Sequence, residues 1–271
     1  LYGIGNVAVK LVGFILIPLY TDAEYFSTAD YGLMGLLEVT SQILIAVMGL
    51  SLYSGLIRWY WDAEYRDKQK TIFFTTLLFT ILTSLCIGSV LWLNVGELSA
   101  LLVQQEGYSL GGELPYILQL LILTSMLGAV VEVPQNLLRL QRKPIYYSLT
   151  NIVRLFVTLV LTIYFTISLH RGVSGVYEAQ LVGIAIQLLM VLPLVIKNSS
   201  CRVDRKCTIQ LLAYSYPLVF PAIVGSLLTV FDRYIINHFQ GLDDVGFYSL
   251  GYKVGNTLKV FIVTSVQLAL T

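Results

Sequence analysis

Eight ionisable side chains stand where an apolar segment should carry none: Lys10, Glu38, Glu132, Arg154, Asp232, Arg233, Lys253 and Lys259. An ionised group at bilayer depth costs about 2.5–3.5 kcal/mol on insertion scales, so each must face protein interior or a wet cavity. They come with polar company at helical spacing. Gly3, Asn6, Lys10 and Gly13 share a face, as do Gly35, Glu38, Gln42, Gly49 and Tyr53. Further along run Ser125, Gly128, Glu132, Asn136 and Arg139, then Ser148, Asn151, Arg154, Thr158 and Thr162. The last stripes are Ser226, Thr229, Arg233 and Asn237, and Tyr248, Tyr252, Asn256 and Lys259, with Lys253 flanking. The cations Lys10, Arg154, Arg233, Lys253 and Lys259 outnumber the carboxylates Glu38, Glu132 and Asp232. A cavity of that sign suits an anionic substrate such as a phosphate or pyrophosphate. Asn256 joins the five cations as a candidate substrate contact. Glu38, Glu132 and Asp232 are candidate ion-coupling groups, since protonating one changes the charge of the cavity. Helix packing competes with this reading, because small and hydroxyl residues line helix interfaces in any membrane bundle. It accounts for the Ser, Thr and Gly positions better than for the charges. Arg139 at an inner end and the Asp232–Arg233 pair at an outer end also read as interface residues.

The elements that must position these groups follow from composition. Hydrophobic residues make up 56% of the chain and charged residues 12%, with a mean hydropathy of +0.77. A soluble domain carries about twice that charge, so this is an all-α integral membrane protein. A span needs roughly 20 apolar residues. About eight transmembrane helices qualify: Tyr2 to Tyr20, Tyr31 to Tyr53, Thr71 to Leu93, Tyr116 to Leu138, Ile145 to Leu169, Val176 to Ile196, Leu211 to His238 and Val245 to Leu270. The third carries no charge and the sixth only Glu178, so both are expected at the lipid-facing periphery. Pro217 and Pro221 should bend the seventh near its inner end. Trp59, Tyr60, Trp61, Trp92, Tyr146 and Tyr147 fall at span ends and read as interface anchors. The connection from Asn94 to Pro115 has room for a short amphipathic helix.

Orientation comes from the loops. Connections after spans two, four and six hold Arg58, Arg66, Lys68, Lys70, Arg139, Arg142, Lys143, Lys197, Arg202, Arg205 and Lys206, whereas the alternate connections hold Arg171 as their one basic residue. The positive-inside rule places the basic loops and the N-terminus in the cytoplasm. Cys86, inside the third span, and Cys201 and Cys207, in a loop read as cytoplasmic where thiols stay reduced, form no disulfide or metal framework.

The segment from Pro18 to Gln42, PLYTDAEYFSTADYGLMGLLEVTSQ, has a second copy in Asp232 to Asn256, DRYIINHFQGLDDVGFYSLGYKVGN. A shift of 214 residues lays Tyr20 on Tyr234, Asp30 on Asp244, Gly32 on Gly246 and Leu36 on Leu250. Six helices separate the copies, so they point the same way across the bilayer, as a parallel repeat. The expected plan is a complete six-helix N-lobe, residues 1–200, followed by the first two helices of a C-lobe, residues 208–271. The chain lacks an initial Met and stops inside an apolar helix, which reads as a fragment with about four helices of the second lobe missing.

Four stretches, PLYTDAEYFSTADYGLMGL, RLQRKPIYYSLTNIVRL, GVSGVYEAQLVG and DRYIINHFQGLDDVGFYSLGYKVGN, together resemble the polysaccharide flippases. These are lipid-linked oligosaccharide translocases of the O-antigen and capsule type, in the superfamily that also holds multidrug and toxin extrusion transporters. The resemblance runs over essentially the whole chain. It implies twelve to fourteen helices in two lobes around a central cavity in the bacterial inner membrane. It further implies movement of undecaprenyl-pyrophosphate-linked sugars by alternating access, with glycosyltransferases and a polymerase as pathway partners. Within it only Asp232–Arg233 matches a family motif closely enough to carry a role over.

Two other classes compete. A drug or cation exporter of the same superfamily prefers an acidic or aromatic cavity. A membrane glycan-processing enzyme needs a placed acid–base group or a large outer loop. His170 and His238 sit at outer helix ends far apart in sequence, and no outer loop is large or basic. No GxxxxGK[ST] phosphate loop occurs, so the chain does not itself use ATP. No cofactor, metal or nucleic acid is expected.

Overall fold

The computed structural model describes residues 16–102, 112–200 and 202–259. Ten α-helices fall among these residues: α1 Ile17–Tyr20, α2 Thr28–Gly49, α3 Leu52–Trp59, α4 Gln69–Leu93, α5 Val95–Leu102, α6 Leu114–Leu140, α7 Pro144–Ile163, α8 Gly172–Asn198, α9 Arg205–Phe239 and α10 Leu242–Lys259. A 3₁₀ turn, Ala63–Lys68, leads into α4, and a π turn, Tyr164–Ser168, ends α7. Among the described residues six helices are long and apolar enough to cross a membrane. The first expected span lies mostly outside the described residues, as does the second half of the eighth.

The acidic turn before α2 is a cap. Asp30 N–H donates to Ser27 Oγ at 3.1 Å and Ser27 N–H donates to Asp30 Oδ2 at 2.9 Å, closing a capping box. A carboxylate in the first turn also meets the positive end of the helix dipole. Asp243 and Asp244 occupy the first turn of α10 in the same way. Within the second copy, Gly241 at φ 97° stops α9, and its N–H reaches back to the Ile236 carbonyl. Only glycine takes that backbone without strain.

The second span is not one helix. It breaks at Leu50 and Ser51, both left-handed at φ 44° and 50°, and restarts as α3. A lipid-embedded break strands helix carbonyls, and here Thr83 on α4 donates to the Met48 carbonyl at 2.7 Å. In contrast, α9 runs through Pro217 and Pro221 as a single 35-residue helix. At 1.5 Å per residue it is about 52 Å long, well beyond the roughly 30 Å hydrocarbon core.

Two apolar cores stack along the bundle. The first gathers Phe26, Leu36, Leu121, Val173, Tyr177 and Leu242, and the second Leu56, Phe73, Leu137, Tyr147, Leu194 and Leu211. Tyr60 and Tyr147, expected as interface anchors, are instead buried in the second core, with Gln141 donating to Tyr60 Oη at 3.0 Å. Trp61 remains exposed. The short helix expected between Asn94 and Pro115 is α5.

Both ends of the bundle carry ion pairs. At one end Arg171 meets Glu178 at 2.5 Å, and Tyr116 donates to the same carboxylate at 2.8 Å. At the other end Lys68 meets Asp204 at 2.5 Å. The Lys68 ammonium, with the backbone N–H groups of Cys207 and Lys206 that Asp204 caps at the start of α9, holds the Asp204 carboxyl below the usual range. A lowered carboxyl pKa adds stability above its unfolded value, about 3.9, and that stability drains as pH falls through the lowered value. The melting-temperature gap between the parent and Asp204→Asn should therefore shrink on acidification below about pH 4. A gap constant down to about pH 2 would show that the charge contributes nothing.

Candidate functional site at the α2–α10 seam

Among the described residues, the closest helix pairing joins the two copies of the repeat. A Cβ built on Gly32 would fall on the Leu242 carbonyl and 3.0 Å from Gly246 N; one on Gly246 would fall 2.5 Å from Thr28 O and 3.3 Å from Gly32 N. A Cβ on Gly35 would run into the Ser249 side chain. Thr28 and Leu242, Gly32 and Gly246, and Gly35 and Ser249 are each 214 residues apart. The register read from sequence is thus the register of contact. The helices run parallel, and each copy presents to the other the positions the other presents to it. Small residues let the backbones approach where lipid offers no hydrophobic drive.

Polar groups collect along this seam. Arg233, on α9, is 7% exposed, and its Nη1 donates to the Gly35 carbonyl of α2 at 3.2 Å. Its guanidinium also lies 5.1 Å from the ring centre of Tyr252 on α10. The adjacent Asp232 accepts a hydrogen bond from Tyr248 Oη through one oxygen and from the Arg233 backbone N–H through the other. Lys253 Nζ stands 5.6 Å from the ring centre of Tyr20 and 5.9 Å from that of Tyr31. It is within electrostatic reach of Glu38, which is exposed on α2. Beside the seam, Tyr234 of α9 and Thr40 of α2 share a 2.7 Å hydrogen bond. An aromatic face stabilises a cation without cancelling its charge as a carboxylate does.

The structure therefore brings Glu38, Asp232, Arg233 and Lys253 together. Asn256 is exposed one turn beyond Tyr252 on α10. Lys10 and the side chain of Lys259 lie outside the described residues. Glu132 and Arg154 sit elsewhere. Glu132, on α6, faces the break in the second span, 3.9 Å from where a Cβ on Gly49 would stand. Arg154, on α7, donates to Gln187 Oε1 of α8 at 3.2 Å, and Gln187 donates in turn to Asn151 at 3.0 Å. Thr158 packs on Gly183 of α8. The α7 stripe is therefore a helix-packing seam against α8. The fifth span, expected inside, is also less buried than the third and sixth, which were expected at the periphery.

A seam of paired repeat copies, in a bundle of membrane-spanning helices, accords with a family match. The family described as polysaccharide biosynthesis protein matches residues 1–271. The chain belongs to that family. No curated relative matches it in sequence. Its fold is shared with solved transporters of the MATE and MOP group. A MATE structure in complex with Br-NRF superposes with a TM-score of 0.65 at 17% identity, covering 96% of this chain and 61% of that one. A MOP superfamily transporter from Pyrococcus furiosus, for which a reverse polarity of the binding pocket is described, gives 0.67 at 15% identity, over 96% and 60%. A mutant of the Vibrio cholerae MATE transporter VcmN gives 0.67 at 16%, over 96% and 60%. The chain spans about 60% of the length of these structures. This member of the polysaccharide biosynthesis family is accordingly a multi-pass membrane protein with a transporter fold.

Sequence reasoning named the charges of the seam and the Tyr252 ring, and missed the rings of Tyr20 and Tyr31. Tyr20 and Tyr31 appear at span ends, where tyrosine signals an interface anchor. Lys253 follows Tyr20 by 233 positions and Tyr31 by 222, so no local spacing links them; only the 214-residue repeat hints that these segments meet.

Proposed function

We propose that this chain is the larger part of a flippase that carries a lipid-linked oligosaccharide, undecaprenyl-pyrophosphate being the expected carrier, across the bacterial inner membrane. Residues 1–200 would form the first lobe, with a cytoplasmic N-terminus, and residues 208–271 would open the second. The observation that carries the reading is the set of cations held on tyrosine rings at the seam. Asp232 is engaged by Tyr248, and the neighbouring Arg233 guanidinium meets a carbonyl and a ring in place of that carboxylate. Two such cations converging from α9 and α10 suit a polyanionic headgroup. Family membership supplies the glycan end of the substrate.

The complete protein should lose surface glycan in a flippase-deficient host when Arg233 and Lys253 are both changed to Ala. Each lost charge-assisted contact weakens binding by about 1.5–3 kcal/mol, roughly tenfold to a hundredfold. Undiminished glycan display by the double variant would sink the proposal.

A second reading, export of cationic drugs, draws on the exposed Glu38 beside the Tyr20 and Tyr31 rings. It predicts drug resistance that Glu38→Gln removes, with glycan display untouched. Glycan loss in the Arg233/Lys253 variant without any drug phenotype decides for the flippase.

A further inference from the structure

We infer that Arg233 is the latch of the α2–α10 seam, and that an anionic headgroup opens the seam by drawing the guanidinium off Gly35. One side chain here touches three helices: it leaves α9, donates to the Gly35 carbonyl on α2 at 3.2 Å and lies over Tyr252 on α10 at 5.1 Å. It does so beside the tightest point of the seam, where Gly35 faces Ser249 and Gly32 faces Gly246. Packing of that kind has no side-chain volume to interlock, so a cross-strap from α9 matters more than it would between larger residues.

The partners of the strap are the weak members of their class. A guanidinium has five N–H donors in a rigid fork matched to phosphate oxygens. Here it is held by a neutral carbonyl and a ring face, not by a carboxylate. Asp232 is adjacent and ionisable, yet it is turned to the Tyr248 hydroxyl. Tyr248 is thus a positioning residue that keeps Asp232 from competing for Arg233. A phosphate or pyrophosphate offers bidentate, charge-assisted bonds that neither Gly35 nor Tyr252 matches. A ligand shifts a conformational equilibrium by its differential affinity for the two states. An anion that binds the guanidinium only after it has left Gly35 therefore favours the parted seam. The anion half of this inference rests on the proposed transport function; the latch half does not.

The test uses the complete protein, purified, with Cys86, Cys201 and Cys207 replaced by Ser and Val245→Cys as reporter. Val245 is fully buried at the seam, and Val to Cys is close to isosteric. Labelling by a hydrophilic maleimide should be slow in this parent and about tenfold faster with inorganic pyrophosphate, sulfate at equal ionic strength serving as control. Arg233→Ala should label at the fast rate with or without pyrophosphate. Tyr248→Phe should also label faster, because Asp232 is then released to pair with Arg233, and adding Asp232→Asn should return labelling to the parent rate. If Arg233→Ala folds and labels as slowly as the parent, the latch is wrong. If it does not fold, the Tyr248→Phe variant and its Asp232→Asn reversal decide the matter alone. If Arg233→Ala labels fast but pyrophosphate leaves the parent slow, the latch stands and the anion trigger fails, while the cationic-site reading is decided separately by glycan display of the Arg233/Lys253 variant.

Discussion

Gly32→Val should lower the melting temperature of the detergent-solubilised protein more than any other single change at the seam. The added side chain has nowhere to go. Its Cβ alone would fall on the Leu242 carbonyl, and the obstruction is backbone rather than a flexible tip that can swing aside. Parting α2 from α10 to admit it breaks the Gly246-to-Thr28 approach as well, because the two glycines sit in one another's path. Overpacking of a tight interface costs about 1–3 kcal/mol, and a backbone collision belongs at or above the top of that range. Gly246→Val should behave alike, as the partner position 214 residues on. Gly251→Ala, in the same helix α10, is the control: nothing lies within 4 Å of its added Cβ. It should be neutral or raise the melting temperature, since alanine is the better helix former by about 1 kcal/mol. Equal melting of Gly32→Val and Gly251→Ala would show that the seam is not closed as described.

That contrast shows what the sequence makes legible. Gly32, Gly246 and Gly251 look alike in a string of apolar residues. The repeat shift separates them, because it pairs Gly32 with Gly246 and leaves Gly251 opposite Leu37. Spans are likewise legible, since the bilayer sets their length and polarity whatever their neighbours do. The break at Leu50–Ser51 is not. Neither residue prefers a left-handed backbone, and the group that makes the break tolerable is Thr83, far along the chain on another helix. Nor does the sequence say which partner a polar stripe meets. The periodicity that places Asn151, Arg154 and Thr158 on one face is the same whether that face lines a cavity or packs on Gln187 and Gly183. Asp30 illustrates the point at smaller scale. It stands in the conserved spacing of the two copies, yet its carboxylate is consumed by the backbone and hydroxyl of Ser27.

Gln187→Leu should be the second most damaging change, and the reason is the charge it strands. Gln187 is 1% exposed, and it joins Arg154 to Asn151 across α7 and α8. Leucine fills a similar volume but offers the guanidinium no acceptor. Losing a hydrogen bond to a charged group costs about 1.5–3 kcal/mol, and the apolar setting allows little compensation from water. Arg154→Met made in the same background should restore the share of that loss due to the stranded guanidinium, leaving only the Asn151 amide oxygen without the donor that Gln187 supplied. The pair is therefore a double-mutant cycle with a coupling of about 2 kcal/mol, read from melting or chemical denaturation. Additive single effects would mean that Arg154 is solvated by something other than Gln187. The cycle also decides between the two meanings of Arg154. If it is a packing residue, the complete protein carrying Arg154→Met and Gln187→Leu keeps glycan display while Arg233→Ala with Lys253→Ala loses it. If Arg154 binds substrate, the stable double variant is silent too, and the cationic site extends from the α2–α10 seam to α7.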